Sequence, residues 1–395
     1  MANDARQYAR IRYRLILIEL AGWLAFITAY QASGLSHRTA SWAAALSSLE
    51  PVRLAGYLAV FGAIVFLVFL PLRWYGGFSL EHRFGLSRLR VKGWLIRDLK
   101  HAAVSAGIGL VVMEVWYALL RHLSSSWPLY ATLGWIIFSV LLARVFPTLL
   151  LPIFYKTTPL ADETLRARLL QLCERARLKA LGVFRVDLGV ETRKANAALA
   201  GIGGTRRVLV SDTLLKEFSS EEIETVLAHE LGHQRHRHIL QFLILSSIGS
   251  WLAFLLIQHS ASWWMPPLDL TGLSDLAGVP VLLAVLSLLN LIALPLTNGI
   301  SRRFEWQADR FAVSLTQLPH AFASALRKLG ELNLADPAPP RWIEWLFFDH
   351  PAVGKRIAAA EAARSAARGT SSVGSPAAAD TSSPARIGPA RSAAP

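Results

Sequence analysis

Apolar residues along this chain collect into six long blocks separated by polar loops. Crossing a bilayer takes roughly 20 residues of helix. The blocks run approximately Leu15–Tyr30, Ala55–Leu72, Ala102–Leu120, Tyr130–Leu151, Ile239–Gln258 and Val279–Thr297. The first is short and contains Glu19. Two others carry charge, Glu114 and Arg144. Charge at membrane depth faces a bundle interior or a wet cavity, unless it is a structural pair or a snorkelling end.

Between the blocks, 155–238 reads as a small mixed domain. Glu163–Leu178 has helical spacing, with Leu165, Leu169, Leu170 and Leu172 on or near one face. Val183–Leu188 and Arg207–Ser211 are β-prone, and Asn196–Gly204 fits a turn or a low-bulk edge strand. Ser219 and Glu222 form a capping-box start for a helix through His229 and His233. Whether that helix runs on into the span at Ile239 is open at this level. Beyond the last block, Arg302–Leu315 reads as helix. From about Ala366 the chain is Ala, Ser, Pro and Gly with scattered Arg, a composition that predicts disorder.

The organisation expected is therefore four spans in 1–154, a catalytic segment in 155–238, two spans in 239–298, a second catalytic segment in 299–365 and a tail in 366–395. The fold class is mainly α: a polytopic membrane protein with an α+β domain outside the bilayer.

Composition supports this. Of 395 residues, 53% are hydrophobic and 17% charged, too apolar for an ordinary soluble protein. The net charge of +14 needs a partner or a topology. No basic run is interleaved with aromatics, which argues against nucleic acid. The loop 73–100 holds Arg73, Arg83, Arg88, Arg90, Lys92, Arg97 and Lys100, and 1–14 is also basic. The alternate loops hold Arg38 and Arg53, then Arg121, then no Lys or Arg between Ser260 and Gly278. By the positive-inside rule the termini, 73–100, 155–238 and everything after Ile300 face the cytoplasm. Only a weak cleavage site follows Tyr30, so the first block reads as a retained anchor. The one cysteine, Cys173, excludes an intramolecular disulfide and a Cys-based zinc site.

His229-Glu230-Leu231-Gly232-His233 is an H-E-x-x-H sequence on a helix. Residues four apart share a face, so both imidazoles can reach one metal ion. Glu230 stands beside that face, where it can take a proton from metal-bound water and deliver it to the leaving amine. Catalytic zinc takes three protein ligands and keeps a position open for water. Glu305 and Asp309, also four apart, are the candidates for the rest: one carboxylate binds metal while the other accepts the free N–H of a ligand imidazole. The bland reading of that pair is a solvated acidic couple beside Arg302, Arg303 and Arg310. His236 and His238 read as polar residues at the membrane boundary. His350 could supply the donor opposite the metal that a developing oxyanion needs, if the fold brings it there.

Taken together these motifs resemble the type I CAAX prenyl proteases, sterile-mutant-type integral membrane zinc metalloproteases, and more distantly the HtpX-like proteases. The likeness rests on Glu81-His82-Arg83-Phe84-Gly85, Leu151–Lys156 followed by Thr158-Pro159-Leu160, and Asn196-Ala197 before Gly201. It continues through Val208–Leu215, His229–His233, Ser301–Asp309, and His350-Pro351 followed by Arg356, covering roughly 70–360. The resemblance implies a ring of membrane helices around a water-filled chamber with the zinc site at its cytoplasmic end. It implies one zinc per chain on His229, His233 and Glu305, Glu230 as general base, Asp309 orienting a histidine, and His350 at the oxyanion. Asn196 and Ala197 would hold the substrate backbone by strand addition, with Arg356 also at the substrate. Two departures stand out. Eukaryotic members usually have seven spans, one more than the six counted, with the deficit before residue 75. No aromatic residue follows Asn196-Ala197.

The function expected is a membrane-embedded zinc endopeptidase acting on a peptide or protein, whose C-terminus can be lipidated or apolar. An HtpX-like protease of damaged membrane proteins uses the same chemistry. A transporter or channel with a chance H-E-x-x-H is the rival from another class.

Overall fold

The computed structural model describes residues 2–372. Each apolar block forms a helix, most of them longer than the block itself. They are α1 (Ala2–Ala32), α3 (Glu50–Trp74), α4 (Val91–His122), α5 (Trp127–Val145), α9 (His238–Trp264) and α10 (Val279–Thr316), with the short α2 (Leu35–Leu46) after α1. Single π-helical turns at Tyr75–Ser79 and Phe146–Leu150 prolong α3 and α5 to Arg83 and Phe154. The wide turns fall at Gly76-Gly77 and Pro147, where glycine loosens the helical ladder and proline lacks an N–H.

The six long helices form a closed ring, each touching the next in the order α1, α3, α4, α5, α9, α10 and back to α1. Each buries only 6–17% of its apolar window. A solid bundle would bury far more, so the inner faces line an open middle. Buried side chains cluster at the two ends instead. At one end Tyr30, Tyr57, Phe61, Trp116, Trp127 and Ile257 form an apolar plug. There α2 closes the ring: Ser36 Oγ lies 2.7 Å from Tyr57 Oη and donates to Ala277 O at 2.7 Å. This helix sits where the sequence showed a deficit, and it is too short and too small-residued to register as a span.

The other end carries the cap. It holds β1 (Thr157–Pro159), α6 (Glu163–Arg175), β2 (Val183–Val186), β3 (Ala197–Ala200), β4 (Arg207–Ser211), α7 (Asp212–Glu217) and α8 (Ser220–Arg235). After α10 come α11 (Pro319–Leu332), α12 (Arg341–Phe347) and α13 (Val353–Ser372). The sheet order is β1-β2-β4-β3, with β2 and β4 parallel and both outer pairings antiparallel. Its core is Leu165, Leu169 and Leu172 from α6, Val208 and Val210 from β4, and Leu227 and Leu231 from α8.

The structure sets one boundary that the sequence left open and moves another. Arg237, in the left-handed region at φ 57°, separates α8 from α9, so the two helices do not fuse. The segment Arg302–Leu315 is not a separate helix: α10 runs unbroken for 38 residues through Pro295. At the far end α13 passes the boundary set at 366, because Glu361-Ala362-Ala363-Arg364 and its alanine-rich continuation favour helix. Residues 373–395, the rest of the tail expected to be disordered, lie outside the described residues.

Candidate metal centre and active site

The capping box at the start of α8 is formed. Ser219 Oγ accepts from Glu222 N at 3.2 Å, and Glu222 Oε2 accepts from Ser219 N at 2.8 Å. From that start the helical repeat brings His229 and His233 onto one face, their Nε2 atoms 3.1 Å apart. Helix α10 crosses here, and Gly232 sets the approach. A Cβ at 232 would lie 2.9 Å from Ala308 Cα, so only glycine permits this crossing. Close contact lets Glu305 reach across: Oε1 is 3.1 Å from His233 Nε2, and Oε2 is 3.4 Å from His229 Nε2.

One ligand atom from each of His229, His233 and Glu305 falls within 4.8 Å of the others. Glu305 Oε2 is buried yet makes no hydrogen bond. Its nearest polar neighbours are His229 Nε2 at 3.4 Å and Arg356 Nη1 at 3.5 Å. A buried carboxylate oxygen short of a hydrogen bond is costly, and a cation between it and the imidazoles would satisfy it. The donor set of two imidazoles and a carboxylate with room for a fourth group suits zinc.

The surroundings fix both histidines. His229 Nδ1 is 2.8 Å from Asp309 Oδ1, one turn beyond Glu305 on α10. Arg356 Nη2 donates to Asp309 Oδ1 at 2.6 Å and Nε to Oδ2 at 2.9 Å. With Nδ1–H given to Asp309, the Nε2 lone pair of neutral His229 points at Glu305 and His233. Burial lowers the pKa of His229, but Asp309 and Glu305 outweigh it and raise it to about 9. A metal ion therefore competes with a proton there.

His238 does the same for His233. Its Nδ1 lies 3.0 Å from His233 Nδ1, and its Nε2 lies 2.9 Å from Gln307 Oε1. Gln307 Oε1 can only accept, so His238 Nε2 donates and its Nδ1 accepts from His233. The imidazole is 1% exposed and stacks on Phe304 at 4.1 Å. Sequence placed it at the membrane boundary. Five residues from His233 is off the helical face, and only the break at Arg237 swings it back. His236 is exposed.

His350 is brought in from 45 residues beyond Glu305. Asn298 Nδ2 donates to Leu346 O at 2.7 Å, and Arg302 Nη1 donates to Phe348 O at 2.5 Å and Glu344 O at 2.9 Å. These clamp α12 to α10 and deliver His350 Nε2 to 3.3 Å from Glu305 Oε1. Asp349, which the sequence reading left without a role, holds His350 Nδ1 at 2.7 Å. Burial lowers the His350 pKa, and Asp349 and Glu305 more than reverse that. Glu230 is half-buried with no hydrogen bond or ion pair among the described residues.

Of the residues expected at the substrate, Ala197 begins β3 and Asn196 directly precedes it; the strand pairs on one side only and packs beside α8. Arg356 was expected at the substrate. Its guanidinium is instead committed to Asp309, with Nη1 3.5 Å from Glu305 Oε2, behind the ligands.

Residues 159–364 match the profile of Peptidase family M48, just over half of the chain. The chain belongs to peptidase family M48. Residues 2–156 match the CAAX prenyl protease N-terminal family, described by five membrane helices; this chain has four membrane-length helices and the short α2 there. An uncharacterized metalloprotease YhfN of Bacillus subtilis is 27% identical over 90% of this chain and 84% of its own. A CAAX prenyl protease 1 homolog of Arabidopsis thaliana is 30% identical over 73% and 69%. The fold matches the crystal structure of S. mikatae Ste24p with a TM-score of 0.82, at 23% identity, over 91% of this chain and 89% of that one. This M48 member is thus a multi-pass membrane metallopeptidase with a helical ring and a small-sheet cap.

Proposed function

We propose that the protein is a zinc endopeptidase of the CAAX prenyl protease type, with its site on the cytoplasmic side. The observation that carries this is the convergence of His229, His233 and Glu305, each imidazole oriented by its own buried partner. One zinc ion per chain, held by these three, would polarise a substrate carbonyl and make bound water acidic. Glu230, beside the cluster, is the group that would take a proton from the attacking water and pass it to the leaving amine. Asp309, itself held by Arg356, keeps His229 in the tautomer that presents Nε2. His350, oriented by Asp349, donates to the developing oxyanion from the opposite side. The open side of β3 at Asn196 and Ala197 takes the substrate as an added strand, which holds it extended across the site. The ring's open middle suits an apolar or lipidated C-terminus beyond the cut. The loop charges support the cytoplasmic placement.

The test is zinc content and peptide cleavage by the purified protein beside Glu230→Gln and Glu305→Ala. Glu230→Gln should keep its zinc and lose cleavage by about 100-fold or more. Glu305→Ala should lose zinc, and normal zinc in that variant would remove Glu305 from the ligand set. A farnesylated peptide turned over in preference to its unprenylated twin supports the prenyl-protease substrate. Equal turnover moves the reading toward general membrane-protein proteolysis.

A further inference from the structure

The Glu81-His82-Arg83-Phe84-Gly85 motif lies far along the chain from the metal ligands, and nothing in the chemistry above uses it. Its side chains nevertheless build one object. His82 bridges two backbone carbonyls, Phe78 O through Nδ1 and Leu89 O through Nε2, each at 2.8 Å. Phe84 meets the Tyr8 ring edge-on at 5.4 Å. Gly85, at φ 64°, turns the chain where a side chain would be strained. Together they shape the loop that follows α3 and end it against the cap.

That loop is stitched to the segment leading into β3. Arg193 N donates to Leu86 O at 2.9 Å, Thr192 Oγ1 to Leu86 O at 3.0 Å, and Arg88 N to Glu191 O at 2.9 Å. At the centre lies Glu81, whose side chain is 14% exposed. It accepts from Tyr8 Oη at 2.5 Å and from Lys194 Nζ at 3.1 Å, with the other oxygen 3.0 Å from the same ammonium. Lys194 stands two residues before Asn196, and its carbonyl is held by Thr213 Oγ1 at 2.8 Å. Asn333 Oδ1 then takes Ala195 N at 3.2 Å, and Ser211 Oγ takes Asn196 N at 3.0 Å. The backbone of Ala195 and Asn196 is thus held on entry to the edge strand. Two charged ties run from this segment to the membrane ring, Lys194 to Glu81 and, farther from β3, Glu191 to Arg97 Nη1 at 3.2 Å.

The geometry points to Glu81 as a positioning residue: through Lys194 it sets the height of strand β3 over the metal ligands, tying peptide docking to the membrane helices. This rests on the reading that β3 binds substrate. Glu81 touches neither substrate nor metal, so it acts on how the peptide is held.

The experiment compares Glu81→Gln, Lys194→Glu and the exchanged pair Glu81→Lys with Lys194→Glu, all in the full chain. Zinc content, peptide kinetics and amide hydrogen exchange over 191–200 are read for each. Each single variant should keep full zinc, raise KM roughly tenfold with kcat within about twofold, and speed exchange over 191–200. The exchanged pair should recover most of both changes, which a merely structural loss would not. Single variants with unchanged exchange and unchanged KM overturn the proposal, as does an exchanged pair no better than the singles. If the unmodified protein cleaves no peptide, the functional reading fails by itself, while the exchange data still report on the tie.

Discussion

The two halves of α10 live under different packing rules. In the ring, its apolar window is 17% buried, and a Cβ added at Gly249 on the neighbouring α9, or at Gly109 on α4 and Gly134 on α5, would meet open space. In the cap, the same helix buries Phe304, Glu305, Ala308, Asp309 and Ala312, and Gly232 opposite has no space at all. In the ring, order comes from closure and lipid, and many apolar side chains would serve. The cap is specified atom by atom where His229, His233 and Glu305 converge. Tolerance to substitution should therefore change sharply along one continuous helix and its neighbours.

The largest effect expected is at Gly232. In Gly232→Ala the new methyl meets backbone at Ala308, which cannot rotate away, so α8 and α10 must separate. A stability loss of about 1–3 kcal/mol is expected, with weakened zinc binding, read by thermal unfolding and metal content in detergent. Full zinc and an unchanged Tm would erase the contrast.

A middle-sized effect tests the cap's electrostatics through Glu222. Burial raises its pKa, but Lys328, Ser324 and the Ser219 N–H overcome that and leave it below the ordinary 4.5. A depressed folded pKa means the carboxylate stabilises the cap above that ordinary value. The contribution fades as pH falls toward and through the lower folded value. Glu222→Gln should cost about 1–2 kcal/mol at neutral pH, and the gap from the unmodified protein should close on acidification. A gap that stays constant into acid would assign the effect to packing instead.

The smallest effect belongs to the ring. Gly109→Ala adds a methyl to open space and gains helix propensity of roughly 0.5–1 kcal/mol. Tm should stay level or rise slightly. A clear drop would mean that the ring is packed there.

The same contrast governs what could be read from sequence. The spans are legible because apolar runs of membrane length are a strong signal, and the His229–His233 pair of the candidate metal cluster because spacing of four on a helix is local. What escaped was made by breaks and by distance. His238 joins the site only through the left-handed residue Arg237, which no periodicity announces. Asp349 and the placement of His350 depend on carbonyls of α12 docking on Asn298 and Arg302. Arg356 was expected at the substrate, since sequence cannot show that Asp309 would claim both edges of its guanidinium. The short α2 fell below the length at which hydropathy speaks.

The unbroken run of α10 also makes it a ruler. Glu305 stands eight residues past Thr297, where the apolar block ends, which is about 12 Å at a helical rise of about 1.5 Å per residue. Since no hinge interrupts that interval, the depth of the span in the bilayer and the altitude of the candidate metal cluster are one measurement.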